Sequence, residues 1–346
     1  MDAAARVARG WAKGQRGDFE AARWAFERVR DVLDEGEVAP DISTLAMRGM
    51  ARVAWYRGEY DEATRHASDA QQQAIARGDR EGEAEALWLL GEIARMLAMR
   101  DRAQAFLSDS LRLYMEAHIP TGVARCLLSQ AQLARYHKSF EQARDLYERA
   151  LRQYESLGDR RGRGLCLNGL GEIARFEGDL DKARRFYVRA LEILQAIGAQ
   201  YDVAITCTNI GLLELRDGEL EQAEEYLQMA LTLVVEKDYP YLLAGIGYNL
   251  ALIQTMRGKG EEANDILRPI WAMNERVPIS DLDFAEPLEE LGKLRAEEGD
   301  CLQARALWER ALATYQELRL DEDIERLESL IATLPEVSEE ESLEDE

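Results

Sequence analysis

Residues Leu170 to Ile193 read LGEIARFEGDLDKARRFYVRALEI and show in one place a pattern that the rest of the chain repeats. A small residue, Gly171, precedes a glycine-aspartate turn signal, and an alanine, Ala183, follows it. The equivalent alanines recur at intervals of 40 or 41 residues, as Ala22, Ala63, Ala103, Ala143, Ala183, Ala223, Ala263 and Ala304. A period of this length over eight units predicts a repeat protein, in which each unit packs on the next.

Each unit also carries the marks of two packed helices. Another small residue stands twelve positions before each alanine, at Gly10, Ala51, Gly91, Ala131, Gly171, Gly211, Ala251 and Gly292. A bulky residue follows the alanine by four positions in most units, at Phe26, Leu107, Tyr147, Tyr187, Leu227, Leu267 and Trp308. Small residues allow close helix crossings, and a large neighbour fills the adjacent space. Gly78, Gly158 and Gly198 fall where C-terminal caps of the second helices are expected.

This pattern resembles the tetratricopeptide repeat over nearly the whole chain, from residue 2 to about residue 318. The usual period is about 34 residues. The longer period here is similar to that of kinesin light chains and of several bacterial peptide-sensing regulators. The resemblance implies an all-α, right-handed superhelical solenoid of about eight helix-turn-helix hairpins, with the first helices lining a concave groove. The motif is specific for fold and says little about activity.

Three segments are predicted along the chain. Residues 1–320 form the solenoid of eight repeats, and residues 321–334 form a C-terminal capping helix with one apolar stripe. Residues 335–346 form a disordered acidic tail. No equivalent cap precedes the first unit, which leaves open whether the sequence is a piece of a longer protein or its exposed end binds a partner.

Charge and composition narrow the classes of partner. The formal net charge is -23, and residues 281–346 hold 22 acids against 6 bases. A net acidic chain repels phosphate backbones, so nucleic acid is not an expected partner. The sequence has no apolar run long enough to span a membrane and no secretion signal, and its four cysteines are widely spaced. We therefore expect a cytoplasmic protein.

No catalytic constellation is apparent in the sequence. His66, His118 and His137 lie in different units, and no phosphate-binding or metal-binding motif occurs. We expect no enzyme activity, no metal and no cofactor. Of the six tryptophans, Trp24, Trp271 and Trp308 are predicted to pack in the core.

One face of each first helix is the predicted partner site, because the resembled family binds ligands along its groove. Counting in steps of one helical turn selects Arg48, Arg52, Trp55, Trp88, Glu92, Arg95, Gln132, Arg135, Asn168, Glu172, Arg175, Asn209, Tyr248 and Asn249. Three of the arginines, Arg95, Arg135 and Arg175, are 40 residues apart and form a predicted column suited to carboxylates or phosphates. The alternative is a solvated face on which Glu92 and Glu172 neutralise the arginine one turn further along the same helix.

Two hypotheses for function follow. The first is a non-enzymatic adaptor that binds a peptide or segment of another protein, of acidic character if the arginine column takes part. The alternative is the sensor region of a larger bacterial signalling protein, such as a kinase or an ATPase-coupled regulator. Neither hypothesis identifies the partner.

Overall fold

The computed structural model describes residues 6–10, 19–34, 40–236, 239–274 and 282–335. Over these ranges the chain is helical, with short turns and no strand. Residues 6–10 are helical, and sixteen further helices follow in the described ranges. They are α1 Phe19–Asp34, α2 Pro40–Tyr56, α3 Tyr60–Arg77, α4 Arg80–Met96, α5 Arg100–Glu116, α6 Pro120–Tyr136, α7 Phe140–Leu157, α8 Arg160–Phe176, α9 Leu180–Ala196, α10 Gln200–Asp217, α11 Leu220–Val234, α12 Pro240–Met256, α13 Gly260–Asn274, α14 Leu282–Glu298, α15 Cys301–Leu318 and α16 Asp321–Ala332.

Even-numbered helices from α2 to α14 are the first helices of hairpins, and each packs mainly against the odd-numbered helix that follows it. The eight repeat-marking alanines are all 0 % exposed, as a close helix crossing requires. At Gly171 a methyl group would lie 2.6 Å from a ring carbon of Tyr187, so the ring would have to shift to admit an alanine. The predicted all-α solenoid of helical hairpins is confirmed.

Many of the turns contain a residue with a positive φ, in the left-handed region of backbone conformation, where a helix ends. Gly178 at the turn between α8 and α9 has a φ of 81°, and Gly158 after α7 has a φ of 68°. The cap predicted at Gly158 is confirmed, and so are those at Gly78 and Gly198. At Ala98, His118, Lys138 and Arg319 the same conformation is adopted by residues with a Cβ, for which it is strained.

The solenoid curves until distant hairpins touch across the groove. Tyr56 at the end of α2 packs edge-on against Tyr201 of α10, with ring centroids 5.9 Å apart. Arg175 of α8 forms an ion pair of 3.3 Å with Glu286 of α14. Further along, Lys138, in the turn after α6, pairs with Asp323 of α16. These contacts bring the two walls of the groove together.

Two further predictions concern the C-terminal end of the chain and the burial of three tryptophans. Helix α16 packs against α15 and buries Leu327. This position is consistent with a capping helix, and the capping role itself stays a prediction. The predicted acidic tail beyond Pro335 lies outside the described residues. Trp308 is buried as predicted, and Trp271 is partly buried. The prediction for Trp24 is wrong, because its side chain is 61 % exposed beside a buried stripe of Ala22, Ala25 and Phe26.

Candidate functional site

The first helices enclose a cavity of about 550 Å³ on the concave side of the solenoid. Helices α2, α4, α6, α8, α10 and α12 supply most of the residues that line it. These helices are buried along most of their length, because second helices cover them from behind and neighbouring hairpins cover their flanks. The remaining face of each helix lines the cavity.

Eleven of the fourteen residues predicted for the partner site line this cavity. They are Arg52, Trp55, Trp88, Glu92, Arg95, Gln132, Arg135, Asn168, Glu172, Asn209 and Asn249. The other three lie outside its lining: Arg48 forms an ion pair with Glu85, Arg175 is fully buried against Glu286, and Tyr248 packs in the apolar core of the last hairpins. The helical phase that was used for the prediction therefore brings most of the predicted side chains into the same cavity.

The three arginines of the predicted column each pair with a carboxylate, and each does so differently. Arg95 pairs with Glu92 of its own helix at 2.9 Å. Arg135 pairs at 2.8 Å with Glu172 of the next first helix, and Arg175 reaches across the groove to α14. Glu172 therefore serves the neighbouring arginine rather than the one on its own helix. A ligand carboxylate would compete with protein carboxylates at all three positions.

Amide side chains form a buried network between the fifth and sixth hairpins. Asn209 Nδ2 donates to Glu172 Oε1 at 2.8 Å and to Asn168 Oδ1 at 3.3 Å. Asn168 Nδ2 donates to the same carboxylate oxygen at 2.9 Å. On α12, Asn249 Nδ2 donates to the carbonyl of Gly245 at 2.7 Å. The network fixes the Glu172 carboxylate, which also forms the ion pair with Arg135.

Some polar atoms of residues that line the cavity are buried without a hydrogen-bond partner among the described residues. The acceptors are Glu92 Oε1 and Asn249 Oδ1, and the donors include the Nε atoms of Arg95 and Arg125. A buried polar atom without a hydrogen bond costs about 1–3 kcal/mol. These atoms are covered by protein atoms and do not face the open space of the cavity.

A second charged group lies at the Trp55 end of the cavity and is centred on Glu85, which the sequence analysis did not select. Arg125 holds the Glu85 carboxylate with both terminal nitrogens, Arg48 contacts it at 3.2 Å, and Tyr114 donates its hydroxyl at 3.1 Å. Burial raises the pKa of the Glu85 carboxyl, but Arg125 and Arg48 outweigh burial and bring the pKa to about 2. Glu85 is therefore ionised at neutral pH.

The residues that were missed follow from the same helical phase. Glu85, Arg125, Leu165, Ile205 and Gly245 recur every 40 residues, and all line the cavity. They lie one helical turn before the predicted stripe, toward the N-termini of the first helices. The stripe was started one turn too late, and extending it by three residues would have found them.

Within the described ranges, no group of three or more His, Cys, Asp and Glu side chains is arranged to hold a metal ion. Among the helices described, none is sufficiently long and apolar to cross a membrane.

The family model of the tetratricopeptide repeat matches residues 121–196 and 163–234, which form the fourth to sixth hairpins. Residues 121–234 are therefore tetratricopeptide repeats. No curated protein sequence matches it.

Solved structures with the same fold cover most of the chain. A Rap protein complexed with Competence and Sporulation Factor has a TM-score of 0.63 at 14% identity, over 95% of this chain and 96% of that one. NprR in complex with its cognate peptide NprX has a TM-score of 0.66 at 16% identity, over 84% and 83%. The Rap conjugation gene regulator of plasmid pLS20, in complex with the Phr* peptide, has a TM-score of 0.63 at 11% identity, over 93% and 97%. At such identities the likeness concerns the fold of these tetratricopeptide-repeat solenoids.

Proposed function

We propose that this tetratricopeptide-repeat chain is a non-enzymatic adaptor that binds a short peptide, or an extended segment of a partner protein, in the cavity between α2 and α12. The observation that carries this proposal is the cavity on the concave side, which amide, charged and aromatic side chains of six successive first helices line together. A peptide main chain offers N–H and C=O groups in alternation, so it can bind both the donors and the acceptors among these side chains.

The size of the cavity supports a short ligand. Its volume of about 550 Å³ falls within the range of about 300–1,000 Å³ that is typical of small-ligand sites. A folded domain does not fit this space. Three solved structures of the same fold are described as complexes with a peptide or with a named factor, which agrees with the proposal by analogy of fold. The comparisons do not favour the alternative hypothesis of a sensor region from a larger signalling protein.

The partner residues remain those of the predicted groove that line the cavity, joined by Glu85 and Arg125. We further propose that binding takes place in the cytoplasm. All four cysteines are free, and Cys126, Cys166 and Cys207 are buried, as in proteins kept under reducing conditions.

Affinity selection from a pool of acetylated hexapeptides of random sequence tests the proposal. The chain is mixed with the pool, separated by size exclusion, and the retained peptides are identified by mass spectrometry. We expect Gln132→Trp, which fills the cavity, to lose the peptides that the parent retains. The matched control is Gln142→Trp, at an exposed position on α7. Equal retention by Gln132→Trp and the parent would show that peptides bind elsewhere.

A further inference from the structure

Most charged side chains that line the cavity already have a partner of opposite charge within the protein. Arg95 pairs with Glu92 at 2.9 Å, and Arg135 pairs with Glu172 at 2.8 Å. No more than 8% of any of these four side chains is exposed. Each pair is therefore covered by the protein and adds no net charge to the cavity wall.

Two further pairs bring the same balance to the N-terminal parts of the first helices. Arg125 binds the Glu85 carboxylate with both of its terminal nitrogens. Arg161 Nη2 donates to Asp202 Oδ1 at 2.9 Å, and Arg161 Nε donates to the other oxygen of the same carboxylate. These guanidinium and carboxylate groups are thus engaged with each other before any ligand binds.

The charged lining residues outside these pairs hardly change the balance. The Arg52 guanidinium acts electrostatically on the Glu85 carboxylate. Asp159 caps α8 and accepts a hydrogen bond from the Gly162 N–H at 2.9 Å. Glu81 is exposed, so water already solvates its carboxylate. Together with the pairs, they give the lining six carboxylates and five guanidinium groups.

This balance makes a charged side chain of a ligand costly to accommodate. A carboxylate or an ammonium group loses water when it enters the cavity. It can bind a charge of the lining only by competing with the partner that is already in place. The competition replaces one ion pair by another and leaves a protein group without its partner. An uncharged ligand segment avoids both costs.

The lining also offers uncharged surface that remains accessible. Leu165 of α8 and Ile205 of α10 occupy the same position of the repeat, and both are partly exposed. Trp55 and Trp88 meet edge to face, with ring centroids 6.2 Å apart. The Gln132 amide, which is also partly exposed, adds hydrogen-bonding groups without charge. Burial of apolar ligand atoms against the aliphatic side chains is favourable and leaves the ion pairs intact.

We propose that the cavity selects peptides whose bound segment is uncharged and carries an apolar side chain, which packs against Leu165 and Ile205. This inference rests on the proposed peptide-binding function and names the class of peptide. It departs from the acidic partner that is expected if the arginine column takes part in binding, because Arg95, Arg135 and Arg175 are held by carboxylates of the protein itself.

Three pools of acetylated and amidated hexapeptides, mixed with the full chain, test the selection. The first pool contains no charged residue and no histidine. The second contains one aspartate or glutamate per peptide, and the third contains one lysine or arginine, in an otherwise equal composition. Size exclusion and mass spectrometry measure how much of each pool is retained. We expect the uncharged pool to be retained at least about tenfold more strongly than either charged pool.

The outcomes separate this inference from the proposed function. Equal or stronger retention of a charged pool would overturn the selection for uncharged peptides while leaving peptide binding intact. Retention of none of the pools would contradict the proposed function and the selection with it.

Variants that break one ion pair connect the selection to the pairing. Asp202→Asn leaves Arg161, whose side chain is 45% exposed, without its carboxylate. We expect this variant to raise retention of the acidic pool about tenfold, because a charge-assisted hydrogen bond becomes available to the ligand. Arg161→Gln should instead raise retention of the basic pool. The matched control is Asp145→Asn, which breaks an exposed pair with Arg149 outside the lining and should change no preference.

The apolar contact has its own variant. We expect Ile205→Gln to reduce retention of the uncharged pool about tenfold, whereas Val188→Gln, at an exposed position on α9, should leave it unchanged. Circular dichroism verifies that each variant keeps its helical fold. Unchanged pool preferences in both Asp202→Asn and Arg161→Gln would overturn the pairing as the cause of the selection. Unchanged retention in Ile205→Gln would overturn the apolar contact.

Discussion

The helix crossings and the groove of this solenoid are built from the same repeating unit, but their residues find partners in different ways. At the crossings, Gly171 faces Tyr187 and Gly211 faces Leu227, in each case sixteen positions further along the chain. In the groove, Arg95, Arg135 and Arg175 occupy one position of the repeat, and their partners are 3, 37 and 111 residues away.

This difference separates what one hairpin determines from what the whole superhelix determines. A crossing forms within a hairpin, so the same small and large residues give the same contact in every unit. A groove contact depends on how many hairpins complete the curve and on which side chain then lies opposite. The repeat therefore specifies the scaffold, whereas the individual departures from the repeat specify the chemistry of the site.

The largest expected effect comes from disrupting one crossing. Ala183→Arg places a charge at a fully buried position, and we expect it to lower the free energy of unfolding by at least about 3 kcal/mol. Urea denaturation followed by circular dichroism measures the loss. Val188→Arg, at an exposed position on the same helix, is the control and should change stability by less than about 0.5 kcal/mol. Equal stability of both variants would contradict the assigned helix phase.

A somewhat smaller effect is expected across the groove. Glu286→Ala removes the carboxylate that Arg175 and Arg216 contact and leaves the fully buried Arg175 guanidinium without it. We expect a loss of roughly 2 kcal/mol, below the range of about 3–5 kcal/mol for fully buried pairs, because Glu286 is partly exposed. Glu290→Ala on the same helix, whose partner Lys293 is accessible, is the matched control. If the two variants lose the same stability, the contact across the groove adds nothing to the fold.

The contrast between contacts within one hairpin and contacts across the groove explains which features could be predicted from the sequence. The alanines and glycines of the crossings were predicted correctly, because their environment lies within one unit and repeats eight times. The lining positions were largely found as well, since helix phase alone decides which way a side chain points. The pairing of Arg175 with Glu286 could not be predicted, because it depends on the curvature of several hairpins. Trp24 was misplaced because its position next to a packing residue resembles the buried stripe without belonging to it.

The turn before α7 provides a pH-dependent test of a second contact across the groove. Burial lowers the pKa of His137 to about 4, and Arg100 and Arg319 act in the same direction, while the Leu318 carbonyl opposes them. The folded state therefore favours neutral His137. Its contribution is complete above the unfolded pKa of about 6.5 and is lost as the pH falls toward 4.

We expect the parent to lose roughly 1–2 kcal/mol more than His137→Gln when the pH falls from about 7.5 to about 5, after allowance for solvent screening. Urea midpoints of both proteins at both pH values measure the difference. Glutamine retains a hydrogen-bond donor and does not titrate, so it serves as the reference. Parallel loss of stability in the two proteins would mean that His137 is not held neutral by its contact with the last hairpin.

The smallest expected effect lies at the turns, where a local rule should apply whatever the groove contains. His118 is exposed in the loop before α6 and has a φ of 55°, whereas Gly158 occupies the equivalent loop before α8 with a φ of 68°. A residue with a Cβ is strained in this conformation, and glycine is not.

We expect His118→Gly to raise the free energy of unfolding by roughly 0.5–1 kcal/mol, because the strain that it relieves exceeds the added entropy of the unfolded chain. The reverse change, Gly158→Ala, should lower it by roughly 1 kcal/mol, since a methyl group there meets no atom within 4 Å and strain alone acts. Urea denaturation of both variants checks the pair. Changes in stability of opposite sign and similar size would show that the turns, like the crossings, follow rules internal to one hairpin. A loss of stability in His118→Gly would mean that the His118 side chain makes a contact that the repeat does not predict.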